Sequence, residues 1–266
     1  MTSILCLNQD CLNNIFKYFT IYELIDIEET CSAFKATCEE IYSTKKFHSY
    51  RIELRYLRAE YLDAIFERIG DTLRSFEFSG GGIMDEGIKQ TVIDAVSNNC
   101  MKLNKLSLNY LHFDNNQFRE LQKCFTNLTY LDLSRCNISE SRIDCLDGEK
   151  FKNIKTLKLA GNVQMSGAFF KSMKHVEKLN ATYCYELRYF EFQQFLKNCI
   201  NLIELDVSAS CQVIPEDQDI LEQILQYQPN IERLIMNDVG IERNKEILSK
   251  FKHLKHSSIT GRKFGT

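Results

Sequence analysis

The feature that most constrains this fold is a motif that recurs every 22 to 30 residues from residue 73 onward. Its best copy, residues 128–138, carries apolar residues at positions 1, 4, 6 and 11 and a cysteine at position 9. Weaker copies begin at Leu73, Leu103, Ile154, Val176, Leu202, Ile231 and Leu254, and a degenerate copy begins at Phe47. A unit this short cannot bury its own apolar face, so the units must stack.

Each copy changes its hydrophobic period partway along. Alternating apolar residues such as Leu131 and Leu133 predict a strand, whereas Ile88, Val92 and Val96 recur at helical spacing. The pattern predicts an α/β fold with one curved parallel sheet, helices outside it, and about eight or nine repeats over residues 47–266. The motif resembles the leucine-rich repeat and implies a solenoid. Stacked repeats also predict one buried column of leucines: Leu106, Leu131, Leu157, Leu179, Leu205 and Leu234.

The 11 cysteines are an odd number with no C-x-x-C pair, which argues against a disulfide framework and against a zinc site. Cys136 and Cys184 fall at position 9, and Cys100 and Cys199 each precede a strand leucine by three residues. These positions resemble those of the cysteine-containing class of leucine-rich repeats. We therefore expect buried, reduced thiols, no metal and no cofactor.

Residues 1–46 lack the repeat motif and have a different composition and hydrophobic spacing. Between residues 4 and 42, 22 of 39 residues are apolar, a higher density than the chain's 44%. Their spacing predicts three short helices capped by Asp10, Thr20 and Ser32. Such a small unit cannot enclose so many large side chains, so its surplus apolar surface must meet either the repeats or a partner.

Residues 7–35 are similar to the F-box, which typically opens Leu-Pro, continues Ile-Phe-x-Tyr-Leu and closes Val-Cys-x-x-Trp. This chain has Leu7-Asn8, the run 15–19 and Phe34 at the corresponding places, so Asn replaces Pro and Phe replaces Trp. With the repeats behind it, the module resembles the F-box/leucine-rich-repeat family along the whole chain. The resemblance implies binding to Skp1, and through it to a cullin. The residues that it assigns to contacting Skp1 or supporting that surface are Leu7, Ile15, Phe16, Tyr18, Phe19 and Leu24.

The repeats predict a second surface. Side chains at the third and fifth positions point away from the inward leucines, toward the concave face. The candidate residues for binding a protein substrate are Lys105, Tyr130, Asp132, Lys158, Lys178, Asn180, Glu204, Asp206, Arg233 and Ile235. A solvated charged surface is the alternative interpretation, and a phosphate-binding pocket on Lys158 and Lys178 is a third.

The functional hypothesis is the substrate-recognition subunit of a Skp1-cullin-F-box ubiquitin ligase, without catalysis of its own. The sequence has no Gly-rich phosphate loop, H-E-x-x-H or G-x-S-x-G motif. The alternative is a leucine-rich-repeat scaffold or inhibitor whose vestigial F-box caps the solenoid. Net charge −3 and pI near 6.0 argue against nucleic acid. The absence of a signal-like N-terminus and of a long apolar run predicts a cytoplasmic or nuclear protein with no membrane partner.

No Gly/Pro/Ser-rich linker separates the two parts of the chain, since residues 42–47 run directly from the last predicted helix into the first degenerate strand. This predicts a rigid joint. We expect the third helix to pack on the first repeat through Phe34, Ile41 and Tyr42.

Overall fold

The computed structural model describes residue 4 and residues 7–81, 84–143, 148–210, 220–237 and 245–260. It begins with three helices, α1 (Gln9–Phe16), α2 (Ile21–Glu28) and α3 (Ser32–Tyr42). We call residues 7–46 the helical module.

The helix caps differ in part from the sequence prediction. The prediction of Asp10 as a cap was wrong: Asn8 caps α1, its side chain accepting a hydrogen bond from the Cys11 amide at 2.9 Å. Thr20 caps α2 in a reciprocal capping box with Glu23, as predicted. The third cap is Cys31, which makes no side-chain cap bond, rather than Ser32. Asn8 stands where the F-box usually has proline, and its capping bond gives that replacement a local structural role.

Beyond the module, the described residues form one nine-stranded parallel sheet whose strands follow chain order. The sequence prediction of this fold class is confirmed, including the degenerate first copy. The strands are β1 (Ser49–Glu53), β2 (Ser75–Ser79), β3 (Lys105–Asn109), β4 (Tyr130–Asp132), β5 (Thr156–Lys158), β6 (Lys178–Asn180), β7 (Glu204–Asp206), β8 (Arg233–Asn237) and β9 (His256–Thr260).

The register confirms the predicted leucine column. Leu106 pairs with Leu131, and the pairing continues strand by strand through Leu157, Leu179, Leu205 and Leu234. All six leucines are buried. On the last strand, β9, Ser257 pairs with Leu234, so the column ends on a polar residue.

The outer layer contains α4 (Leu62–Ile69), α5 (Glu86–Asn99), α6 (Asn115–Leu121), α7 (Tyr189–Asn198), α8 (Ile220–Tyr227) and α9 (Lys245–Ser249). Between β4 and β6 the described connections hold only 3₁₀ turns, 148–151 and 168–172, so a strand-turn-α-helix unit does not recur throughout. In this stretch, where 3₁₀ turns replace α-helices, the outer layer packs through phenylalanine rings. Successive ring centroids from Phe125 through Phe151 to Phe169 lie 5.5 and 5.8 Å apart.

Position 9 of the motif forms an internal hydrogen-bonded ladder. The thiols of Cys136 and Cys184 are buried and donate to the carbonyls of Leu108 (2.8 Å) and Leu159 (3.3 Å) in preceding repeats. Between these two cysteines, fully buried Asn162 makes four bonds to backbone groups of its own repeat and the preceding one. Burial raises the pKa of Cys184 to about 12, so this thiol stays protonated. The predicted buried cysteines are confirmed.

The helical module packs directly on the first repeat. Tyr42 lies 6.1 Å from Phe47, ring to ring, and donates a hydrogen bond from its hydroxyl to buried Glu28 at 2.8 Å. Arg68, on α4, donates from Nε to the same carboxylate at 2.6 Å. Phe34 lies against Phe16 within the module, at 5.1 Å between ring centroids. Of the residues expected at the joint, Tyr42 contacts the first repeat directly. The joint also contains the ion pair of Arg68 with Glu28, which the sequence pattern did not indicate.

Candidate protein-interaction surfaces

Helix α1 has an inner apolar face that belongs to the core of the module. Leu12 and Phe16 lie on this face, and Phe16 is fully buried. Phe19, which is partly buried, stacks on Phe16 with ring centroids 5.1 Å apart. Leu24 on α2 is also fully buried. Three of the residues in the predicted Skp1-binding set, Phe16, Phe19 and Leu24, therefore support the module from inside or at its margin.

Helix α1 and its flanks have a second apolar face, and this face is exposed. Leu7 and Ile15 are each 38% exposed and Tyr18 is 79% exposed. Cys11, an exposed free thiol, lies between Leu7 and Ile15 in the sequence. Cys11 and Ile15 lie one helical turn apart on the same face of α1, and Leu7 and Tyr18 flank the helix at its two ends. We call Leu7, Cys11, Ile15 and Tyr18 the α1 stripe. The F-box motif did not indicate Cys11, although its distance of four residues from Ile15 is a signal that places both on one face of α1.

On the concave face, an aromatic ring lies between two lysines. The ammonium of Lys105 lies 4.7 Å from the centroid of the Tyr130 ring, and that of Lys158 lies 5.4 Å from it. A hydrogen bond to Tyr130 raises the pKa of Lys158, so this lysine is charged at neutral pH. Three of the predicted substrate-binding residues thus form one cationic cluster.

Asp132 lies on β4 with Tyr130, and the other predicted concave residues lie further along the sheet. A depression of about 180 Å³ is lined by strands β5 to β8, and seven of the ten predicted residues line it: Lys158, Lys178, Asn180, Glu204, Asp206, Arg233 and Ile235. Lys178 forms an ion pair with Glu204 at 2.5 Å. This ion pair neutralises Lys178, which weakens the alternative of a phosphate pocket built on Lys158 and Lys178 together.

The acidic and amide residues of the fifth position also have a local structural role. The Asp132 carboxylate accepts hydrogen bonds from the amide and hydroxyl of Ser134 at 3.0 and 2.6 Å. Asn180 accepts the equivalent pair from Thr182, at 3.1 and 2.8 Å. These Asx turns end the strands and hold the side chains in place. The sequence signal for them is the Asp/Asn-x-Ser/Thr spacing at the ends of β4, β6 and β7.

Comparison with known proteins agrees with this geometry. The family described as Leucine Rich Repeat matches residues 127–148, which contain the best copy of the motif. A chain of the crystal structure of the Rad7 and Elc1 complex in yeast is similar, with a TM-score of 0.52 and 14% identity, over 95% of this chain and 81% of that one. The fold is a leucine-rich-repeat solenoid. At this identity the likeness to the yeast structure concerns the fold alone. No curated protein matches the chain.

Two features are absent from the described residues. In that part of the chain, no helix is long and apolar enough to cross a membrane. Across the same residues, no group of three or more His, Cys, Asp or Glu side chains is arranged to hold a metal ion.

Proposed function

We propose that this protein is the substrate-recognition subunit of a Skp1-cullin-F-box ubiquitin ligase. The α1 stripe docks on Skp1, and the concave face of the solenoid binds the protein to be ubiquitinated. The observation that carries the proposal is the stripe itself, since Leu7, Ile15 and Tyr18 expose apolar surface that the module's own core does not use. The F-box resemblance assigns these same residues to the Skp1 contact.

The structurally similar yeast chain comes from a complex of two proteins, Rad7 and Elc1. By analogy, a solenoid of this shape is compatible with a second protein bound alongside it, and we propose that Skp1 takes that role here. The proposed division of labour leaves ubiquitin transfer to other subunits, so the protein has no catalytic residue. Its site of action would be the cytoplasm or the nucleus.

The joint between the module and the first repeat gives this proposal a geometric consequence. Glu28 on α2, Tyr42 on α3 and Arg68 on α4 meet in one hydrogen-bonded group. The Lys46 ammonium donates to the carbonyl of Lys17 at 3.0 Å and to that of Phe19, near the end of α1. The Arg68–Glu28 pair and the Tyr42–Phe47 contact tie the module to the first repeat, and the Lys46 bonds brace the end of α1 within the module. These contacts hold the concave face at a constant distance and angle from the α1 stripe. That geometry would limit which substrate lysines reach the transferred ubiquitin.

The same joint favours a second candidate function. In this second hypothesis the module only caps the end of the solenoid, through contacts such as that of Tyr42 with Phe47. The protein is then a scaffold or inhibitor that does not bind Skp1. The capping function predicts no partner on the α1 stripe. The two hypotheses therefore differ in one measurable property, the affinity of the chain for Skp1.

Binding of the purified chain to purified Skp1, measured by calorimetry, tests the proposal. We expect Ile15→Glu combined with Tyr18→Ala to weaken binding at least roughly 30-fold, because losing one anchor from an interface centre costs about 2 kcal/mol. Tyr56→Ala is the matched control, because Tyr56 is also an exposed aromatic residue but lies outside the module. It should leave the affinity unchanged. Failure of the unmodified chain to bind Skp1 would favour the capping function.

A further inference from the structure

A second group of exposed apolar residues lies outside both surfaces described above. Tyr110, Val163, Tyr183 and Tyr185 are each 40 to 51% exposed. They follow the ends of strands β3, β5 and β6, on the side of the solenoid where the chain leaves the sheet. Together with Arg135, which follows β4, we call them the strand-end rim.

Hydrogen bonds and ring contacts make the rim continuous across four repeats. The amide of Tyr110 donates to the Ser134 carbonyl at 3.2 Å, and that of Arg135 to the Ala160 carbonyl at 2.7 Å. Gly161 and Tyr183 continue the same ladder, at 2.7 and 2.9 Å. Within the ladder, the Arg135 guanidinium stacks 5.1 Å from the Tyr110 ring centroid. The rings of Tyr183 and Tyr185 meet edge to face at 6.3 Å.

The backbone at these positions is unusual for the residues that occupy it. Position 8 of the motif is left-handed in five successive repeats, with φ of 59° at Tyr110, 58° at Arg135, 74° at Gly161, 58° at Tyr183 and 52° at Ala209. Only glycine adopts this conformation without steric cost. Gly161 shows that glycine fits the ladder. Tyrosine and arginine at the equivalent positions are therefore less favourable for the fold than glycine would be. In exchange, they place aromatic and cationic side chains on the surface.

The positive charge of Arg135 indicates that the rim would bind a partner carrying a carboxylate. Among the described residues, Arg135 has no carboxylate partner, and its flat guanidinium is already ordered against Tyr110. Glu186 and Arg188, which follow Tyr185 in the sequence, are both exposed and bring one negative and one positive charge. The rim is thus an aromatic surface with one available cation, and Tyr and Arg are enriched at the energetic centres of protein interfaces.

We propose that the strand-end rim is a second protein-docking surface that binds a segment carrying a carboxylate between apolar side chains. The carboxylate pairs with Arg135, and the apolar side chains pack on Tyr110 and on the pair Tyr183 and Tyr185. The rim lies outside the α1 stripe and the concave face, so this proposal does not depend on Skp1 binding.

The probe is a randomised 12-residue peptide library displayed on phage, selected on the full chain. Counter-selection uses a variant with Tyr110→Gly, Arg135→Gly and Tyr183→Gly. Because Gly161 occupies the same conformation, this variant should unfold at the same temperature as the unmodified chain or a higher one. Selected peptides should contain Asp or Glu flanked by apolar residues and should bind the glycine variant at least roughly 30-fold more weakly.

A double-mutant comparison assigns the charge contact. Replacing the acidic residue of a selected peptide by its amide should weaken binding to the unmodified chain but not to Arg135→Gln. Tyr185→Ser, at an exposed position outside the left-handed row, provides a second variant if the triple substitution unfolds, and it too should weaken binding. The proposal is overturned if no peptide is enriched over the counter-selection, or if selected peptides are indifferent to Arg135→Gln and Tyr185→Ser.

Discussion

The helical module and the solenoid use apolar residues in opposite ways. Along the sheet one periodic rule separates inside from outside, so that Leu131 and Leu157 are buried while Tyr130 and Lys158 face the concave surface. In α1 the apolar residues exceed what the core accommodates, so Phe16 is buried and its neighbour Ile15 is exposed. The difference shows that apolar residues without a place in the core are the more informative sign of a binding surface.

The largest expected effect separates two neighbouring residues of α1. Phe16→Ala should lower the free energy of unfolding by about 3 to 5 kcal/mol, because it leaves a cavity in the core of the module. Ile15→Ala should change it by no more than about 0.5 kcal/mol. Urea denaturation followed by circular dichroism measures both. Equal losses would mean that α1 does not have one buried and one exposed apolar face.

The next effect concerns the solenoid, whose stability depends on polar groups at position 9. Asn162→Ala removes four buried hydrogen bonds to the backbone and should cost about 3 kcal/mol, since the freed groups have no access to water. Asn180→Ala is the matched control in the next repeat. Asn180 is only partly buried, and its loss should cost about 1 kcal/mol or less. A similar cost for the two variants would refute the structural role given to the ladder.

A smaller effect comes from the buried thiols. Burial raises the pKa of Cys184 to about 12, whereas a cysteine of the unfolded chain ionises near 8.5. Between these values the unfolded state binds fewer protons than the folded state, so stability falls as pH rises. At pH 10 the loss should be roughly 2 kcal/mol for one such thiol.

Comparison of the unmodified chain with Cys184→Ala tests this prediction. Substitution has its own cost in packing, so the informative quantity is the difference in free energy of unfolding between pH 8 and pH 10. That difference should be smaller in Cys184→Ala. An unchanged difference would show that Cys184 ionises equally in the folded and unfolded states.

Much of the solenoid was predictable because its rule is periodic. The spacing of the motif was enough to place Leu106 and Leu234 in one column five strands apart. The left-handed row was not predicted, because tyrosine and arginine rarely adopt that conformation, and Gly161 was the sole glycine to indicate it. The ion pair of Lys178 with Glu204 was also missed, although both residues hold the third position of adjacent repeats and the period alone places them side by side.

In the helical module the F-box resemblance pointed to residues of α1 but could not separate the two faces of that helix. Ile15 and Phe16 are adjacent in that motif, and only packing shows that the phenylalanine is internal. The cap of α1 was misplaced because Asp10 and Asn8 are both good capping residues two positions apart. Small modules lack a repeating pattern that could resolve such choices.

We propose that the exposed face of α1 binds Skp1, and hydrogen exchange on the full chain with and without purified Skp1 tests this binding most directly. Amides of residues 9–20 should exchange more slowly in the complex, while those of strands β3 to β8 exchange at unchanged rates. Skp1 binding at α1 would be contradicted by slowed exchange confined to the strands. It would also be contradicted by unchanged exchange along the whole chain at Skp1 concentrations far above those of the protein.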